Sequence, residues 1–315
     1  MVNSKRARKA LAVVAVLISQ WLFVSPSPTS ATPPGTLVHL RVASPETDYP
    51  IRDVWVWTPP LGKLNRAALP VVYMLHGWPG SPASMISGMV APLTAAFAAG
   101  AKPFIAVFPD GNAKTHPDSE WADSYDKKAM IETWLTKRVV PAVESDRIRS
   151  KNERAIVGFS MGGYGAAIIG LHHPELFTQI ATLAGYFITD DLTNAFGASK
   201  TSHAPLTYLN RANNFTWFLA EGRDDYTVPI RGQAVSWAKR LKTVKAPFVI
   251  QSPGGGHSFT FVSGEVPSMT KWLVWPKPPV IPSPSPVQSP TPLATPTPST
   301  TPLPTPVPTG SPTLQ

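Results

Sequence analysis

Along the middle of the chain, short apolar runs alternate with longer stretches that carry polar residues at helical spacing. The runs Thr36–Ala43, Asp53–Thr58, Val71–Leu75, Phe104–Phe108, Arg154–Gly158, Gln179–Leu183, Thr216–Ala220 and Phe248–Gln251 read as strands. Several are almost wholly apolar, the pattern of strands covered on both faces in a parallel sheet. Helices are expected over Ser84–Ala99, Ile131–Asp146, Tyr164–His172, Ile230–Val244 and Val262–Trp275. Two adjacent strands followed by strand–helix alternation predict an α/β fold. Its central sheet is mostly parallel, with helices on both faces and an antiparallel start. No internal repeat interrupts this order, and the segment Gly185–Asn214 reads either as a cap or as a simple connection.

The two ends break the pattern. Lys5, Arg6, Arg8 and Lys9 precede an apolar run of about 15 residues, Ala10–Val24, and Thr29-Ser30-Ala31 offers small residues for cleavage. Positive start, short apolar core and small-residue site describe an export signal over 1–31. The apolar run falls short of the roughly 20 residues that a membrane helix needs. From 276 to 315 the chain holds 15 of its 37 prolines, much Ser and Thr, and a single charge at Lys277. Such a segment buries little apolar surface and reads as an extended tail suited to spacing or wall association. That leaves 32–275, long enough for one α/β domain.

Composition narrows the chemistry. The chain has no cysteine, which excludes disulfides, thiol nucleophiles and cysteine metal sites. An exported protein without cysteine fits a bacterial surface or secreted location. The net charge of +9 falls to +5 once the four basic residues of the leader are removed. The remaining positives are scattered, so no nucleic-acid footprint is expected, and no membrane span is expected after cleavage.

The sharpest chemical signal is Gly158-Phe159-Ser160-Met161-Gly162-Gly163, with a strand before it and a small-residue helix after it. This is the context of a nucleophile elbow, in which glycines permit a turn too tight for side chains. A serine hydroxyl needs a base. Of the seven histidines, His257 lies beyond Ser160 and beyond suitable acids, in the glycine-rich loop Pro253–Phe259. His172 and His173 are expected to end a helix in contact with solvent, and His39, His76, His116 and His203 precede the required place. Asp224 and Asp225, just after strand Thr216–Ala220, lead as the acid that orients His257, with Asp225 preferred. Asp190 and Asp191 read as N-caps of a short helix. The oxyanion of ester cleavage needs preset donors. Backbone N–H groups of Met161 and of Trp78, in the loop after Val71–Leu75, are expected to supply them. His76 then reads as a structural hydrogen-bonding residue.

Together these pieces resemble the esterase-D-like group of α/β-hydrolases, which includes feruloyl and acetylxylan esterases, S-formylglutathione hydrolases and antigen 85 mycolyltransferases. The shared pieces are Leu75-His76-Gly77, Phe108-Pro109-Asp110-Gly111, Trp121-Ala122-Asp123-Ser124, Gly158-Phe159-Ser160-Met161-Gly162, Gly222-x-x-Asp225 and Gly256-His257-Ser258. They occur in the family's order across nearly all of 36–275. The resemblance implies the α/β-hydrolase fold, with 121–124 near the mouth of the site. It further implies a carboxylesterase working on Ser160, Asp225 and His257, with no metal or cofactor. Small-molecule or carbohydrate-linked esters are the expected substrates. Envelope acyl transfer of the antigen 85 type and a non-catalytic wall-associated binding role are the alternatives.

Overall fold

Eight strands build one sheet in the order β1 (Thr36–Ala43), β2 (Ile51–Thr58), β4 (Ile105–Pro109), β3 (Val71–Leu75), β5 (Arg154–Phe159), β6 (Gln179–Leu183), β7 (Thr216–Ala220) and β8 (Phe248–Gln251). They are seen in a computed structural model that describes residues 35–277. The expected export signal, and the tail from 278 onward, lie outside the described residues. β2 is antiparallel to both β1 and β4, and every pairing from β4 to β8 is parallel. The fold is the expected α/β-hydrolase fold. Every residue of β3, β4, β5 and β6 is buried, which is why those segments lack alternation in the sequence. β1, by contrast, is an exposed edge. There His39 stacks on its cross-strand partner Trp55 and bonds Asp53 at 2.9 Å.

The helices are α1 (Pro82–Ala98), α2 (Ile131–Trp134), α3 (Val140–Val143), α4 (Met161–His172), α5 (Lys200–His203), α6 (Gln233–Thr243) and α7 (Phe259–Trp272). The crossover from β3 through α1 to β4 runs one way along the sheet, and that from β5 through α4 to β6 runs the other. Crossovers of one hand running in opposite directions put their helices on opposite faces. α7 packs beside α1, while α4 and α6 cover the second face. β3 and β5 are therefore neighbours whose connections diverge, and the loops after them open a crevice at their C-terminal ends.

Three expectations need correction. The single helix expected over 131–146 is divided by a π-turn, Leu135–Val139, and ends at Val143. Pro141 accounts for the break, because it lacks an N–H and its ring clashes with the carbonyl four residues earlier. No helix starts at Asp190 or Asp191. Asp191 instead accepts the Phe196 N–H at 3.2 Å within a loop, and the short helix begins at Lys200. His172 and His173 are not solvated helix ends. Both rings close on the buried carboxylate of Glu132, at 2.8 and 2.9 Å, and His173 also reaches Glu175 at 3.0 Å.

That cluster fastens α4 to its surroundings. His172 places its second ring nitrogen 3.2 Å from the Ser202 carbonyl, and Tyr164 donates to the His203 carbonyl. Arg211 donates to the carbonyl of Leu171 at 3.1 Å. Residues 200–211 are thus strapped along α4, so this part of the open segment serves as a packed connection.

The histidine bonds hold the Glu132 carboxyl down to about 2 despite its burial, and the two carboxylates push His173 above its usual value. A lowered acid stabilises above its unfolded pKa of about 4.5, and the effect is lost as pH falls toward 2. A raised histidine stabilises below about 6.5, and the effect is lost as pH rises through its folded value. Glu132→Gln is therefore expected to destabilise most between about pH 4.5 and 6.5, by about 1–3 kcal/mol. Thermal melts of both proteins from pH 2.5 to 9 check this, and the gap should narrow at both extremes.

Candidate active site

Ser160 sits between β5 and α4 with φ 57° and ψ −121°, a conformation that costs a non-glycine residue about 1–3 kcal/mol. The neighbouring glycines make it reachable. A Cβ on Gly158 would overlap the Gly162 carbonyl, and a Cβ on Gly162 would overlap the Leu75 carbonyl at the end of β3. The turn thus closes on itself and against the next strand with no room for a methyl group. Ser160 donates its backbone N–H to the Leu183 carbonyl at 3.1 Å and accepts at its own carbonyl from Gly163, at 2.8 Å. Its hydroxyl is lifted above the sheet edge, where the N-terminus of α4 contributes a partial positive charge.

The residues expected around it arrive from separate loops. Ser160 Oγ–H donates to His257 Nε2 at 2.9 Å, and His257 Nδ1–H donates to Asp225 Oδ2 at 2.8 Å. The other oxygen of Asp225 accepts the Thr227 N–H at 3.0 Å, so the buried carboxylate is held on both sides. Asp224 does something else. Its carboxylate accepts the Gly255 N–H at 2.9 Å, and its own N–H donates to the Gly255 carbonyl at 3.1 Å. One aspartate faces the imidazole, while the other pins the loop that carries it.

The loop after β3 closes the crevice. A Cβ on Gly77 would lie 2.9 Å from the Ser160 Cβ, so this backbone passes directly over the serine. Among the described residues, the Trp78 N–H and the Met161 N–H have no protein acceptor. His76 is buried and holds the loop in place. It donates from Nδ1 to the Gly77 carbonyl and accepts the Gly111 N–H at Nε2, both at 3.0 Å. Trp121 was expected near the mouth. It is fully buried behind the loop, wedged between Gly111 and Gly165, and its indole donates to the His76 carbonyl at 2.9 Å.

Two features escape a linear reading. Phe159, the variable residue of the Gly-x-Ser motif, stacks on His257 with ring centroids 4.8 Å apart. Nothing in its sequence position distinguishes it from a core residue. Glu120 is buried, and burial together with nearby Asp118, Asp190 and Asp191 pushes its carboxyl well above the usual range. It accepts from the Tyr186 hydroxyl at 2.5 Å. Asp118 is pushed up to about 6 by burial and the same acidic neighbours. A run of short polar residues around 118–120 carries no periodicity that would have revealed this burial.

A strained serine at the C-terminal edge of a parallel sheet, hydrogen-bonded to a histidine and through it to an aspartate, defines the serine-hydrolase class of the α/β-hydrolase fold. Comparison with known proteins narrows this further. Residues 57–261 match the Esterase family, and the chain belongs to that family. It is a carboxylic ester hydrolase. An acetyl esterase from Caldicellulosiruptor saccharolyticus is 25% identical over 238 residues, covering 65% of this chain and 83% of the relative. A solved ferulic acid esterase superposes with a TM-score of 0.66 at 20% identity, over 76% of this chain and 97% of that one. An S-formylglutathione hydrolase from Agrobacterium tumefaciens gives 0.62 at 18% identity, over 76% and 94%.

Because the elbow has no space for a methyl group, Gly162→Ala should prevent the native turn rather than merely slow a reaction. The expected outcome is a loss of more than about 3 kcal/mol or a failure to fold. Circular dichroism and urea unfolding read this directly.

Proposed function

We propose that the chain is an exported serine carboxylesterase that works through an acyl-enzyme on Ser160, with carbohydrate-linked esters as its substrate class. The observation that carries the reading is the unbroken hydrogen-bonded line from Ser160 through His257 to Asp225. Ser160 Oγ attacks the ester carbonyl carbon as His257 Nε2 takes the hydroxyl proton. The Met161 and Trp78 N–H groups receive the oxyanion. Collapse breaks the bond to the alcohol oxygen, which leaves with the proton held by His257. Water then adds to the acyl-enzyme under the same base, and the acid leaves as Ser160 regains its proton. Asp225 keeps the imidazole in the tautomer that accepts at Nε2 and stabilises its protonated form.

The substrate class draws support from Trp78, which is exposed and lines the cleft beside Ser160. Aromatic faces of this kind suit the C–H faces of sugars. The acetyl and ferulic acid esterases are named for the acid half of their esters, which supports ester hydrolysis. Export rests on the basic and apolar leader, and wall association on the Pro/Thr/Ser-rich tail.

Hydrolysis of 4-nitrophenyl acetate and of acetylated sugars by the full chain tests the mechanism. Ser160→Ala and Asp225→Asn should each lower kcat/KM by about 10⁴-fold. Asp224→Asn, which keeps an amide oxygen to accept the Gly255 N–H, should cost less than about tenfold. Equal losses for the two aspartates would reverse their assignment, and an unaffected Ser160→Ala would remove the serine mechanism altogether. For export, mass spectrometry of protein recovered from culture medium should find a chain beginning at Thr32. Intact chain held only inside cells would count against it.

A further inference from the structure

We propose that Phe259 is a fixed partition that limits the size of the alcohol half of the ester. The proposal rests on the serine carboxylesterase reading above. A cleft of about 230 Å³ is lined by the loop Gly77–Gly80, Ser84, Phe159 and Phe259, and it adjoins Ser160 through Gly77 and Phe159. A second trough of about 510 Å³ runs on along the seam between α1 and α7, lined by Ser87, Gly88, Thr260 and Ser263. Only Ser84 and Phe259 line both. They form the wall between the two spaces.

Neither side of that wall is free to swing. The Ser84 hydroxyl accepts the Ser81 N–H at 3.0 Å and donates to the Ser81 carbonyl at 2.7 Å, in the cap of α1. The Phe259 ring abuts Gly88, where a Cβ would overlap its Cδ1, and leans on Phe159 with centroids 5.1 Å apart. Ser263 donates to the Gly88 carbonyl at 2.7 Å and clamps α7 to α1 at the same level. Phe259 therefore stands in one place, in line with the Phe159 ring and the His257 imidazole that it follows by two residues.

The half of the ester that meets this wall follows from proton transfer. His257 Nε2 must deliver its proton to the departing alcohol oxygen, so the alcohol lies on the imidazole side, flanked by Phe159 and Phe259. Beyond the partition the surface changes character. Ser87 and Thr260 are exposed, and their hydroxyls have no partner among the described residues. The trough is thus matched to an alcohol that carries hydroxyls of its own, such as a second sugar unit, and Phe259 keeps that unit from entering it.

The test holds the acyl group constant and varies the alcohol. Ethyl acetate, 6-O-acetylglucose and 6-O-acetylcellobiose are hydrolysed by full-length wild type, Phe259→Ala, Phe259→Val and Phe259→Leu, with released acid followed in a pH-stat. Phe259→Ala should raise kcat/KM for the cellobiose ester about tenfold or more relative to ethyl acetate, mainly through KM, as one pocket side chain can. Phe259→Val should move in the same direction, and remains as the readout if the alanine variant melts below assay temperature. Phe259→Leu, which keeps the bulk, should retain the wild-type ratio. An unchanged ratio in the folded alanine or valine variant overturns the partition. A widened range of acyl lengths on 4-nitrophenyl esters, with no change toward alcohols, overturns the assignment to the alcohol half. If wild type hydrolyses none of these esters, it is the esterase reading that fails. Activity with an unmoved selectivity refutes the partition alone.

Discussion

The geometry of this protein turns on backbone packed against backbone where β5 meets α4. Gly162 approaches the Leu75 carbonyl of β3, and Gly158 approaches Gly162 itself, with no space for a side chain at either point. That contact forces Ser160 into positive φ and aims its hydroxyl away from the sheet. It also brings the end of β3 beside the serine, so the loop Gly77–Gly80 forms the roof of the crevice. Strain at Ser160 persists because the helix N-terminus, the Leu183 carbonyl and the β3 carbonyls together over-determine the turn.

From this corner the remaining parts take their places by short loops on strands whose register is set by burial. Asp225 lies five residues beyond the end of β7 and His257 six beyond the end of β8, neighbouring strands at the same edge of the sheet. Their distance is controlled less by the strands than by Asp224, which clasps both backbone groups of Gly255. Two adjacent aspartates thus divide the work, one holding the imidazole and one holding its loop. A buried layer behind the crevice keeps the roof from moving, through the chain Trp121 to His76 to Gly111.

Charge is concentrated away from the reacting atoms. Away from the site, the buried Glu144 carboxylate accepts from Tyr73, Arg154 and the Arg149 N–H, tying the middle of β3 and the start of β5 to the end of α3. Glu132, buried beneath His172 and His173, does the same for the far end of α4. Breaking such a buried pair from one side leaves an uncompensated charge, which is costly in a low-dielectric interior. These clamps hold both ends of the elements whose meeting point carries Ser160.

Much of this was legible in the order of residues. The strands Val71–Leu75 and Gln179–Leu183 are buried on both faces and read as short, largely apolar runs, and Thr216–Ala220 and Phe248–Gln251 fall where strands were expected from their apolar runs. The Gly-x-Ser-x-Gly turn was readable for a similar reason, since only glycine satisfies its local contacts. The choice between Asp224 and Asp225 was not settled by spacing, because either lies within reach of a flexible loop. Only folding decides which carboxylate meets Nδ1. The same holds for His172, His173 and Glu132, separated by about forty positions and joined where the end of α4 meets α2. Local chain chemistry determined the elements and the nucleophile's turn, for their constraints act between near neighbours. Partners from distant segments, the role of Phe159 beside His257 and the wall made by Phe259 exist only once the sheet order has brought separate loops to one edge.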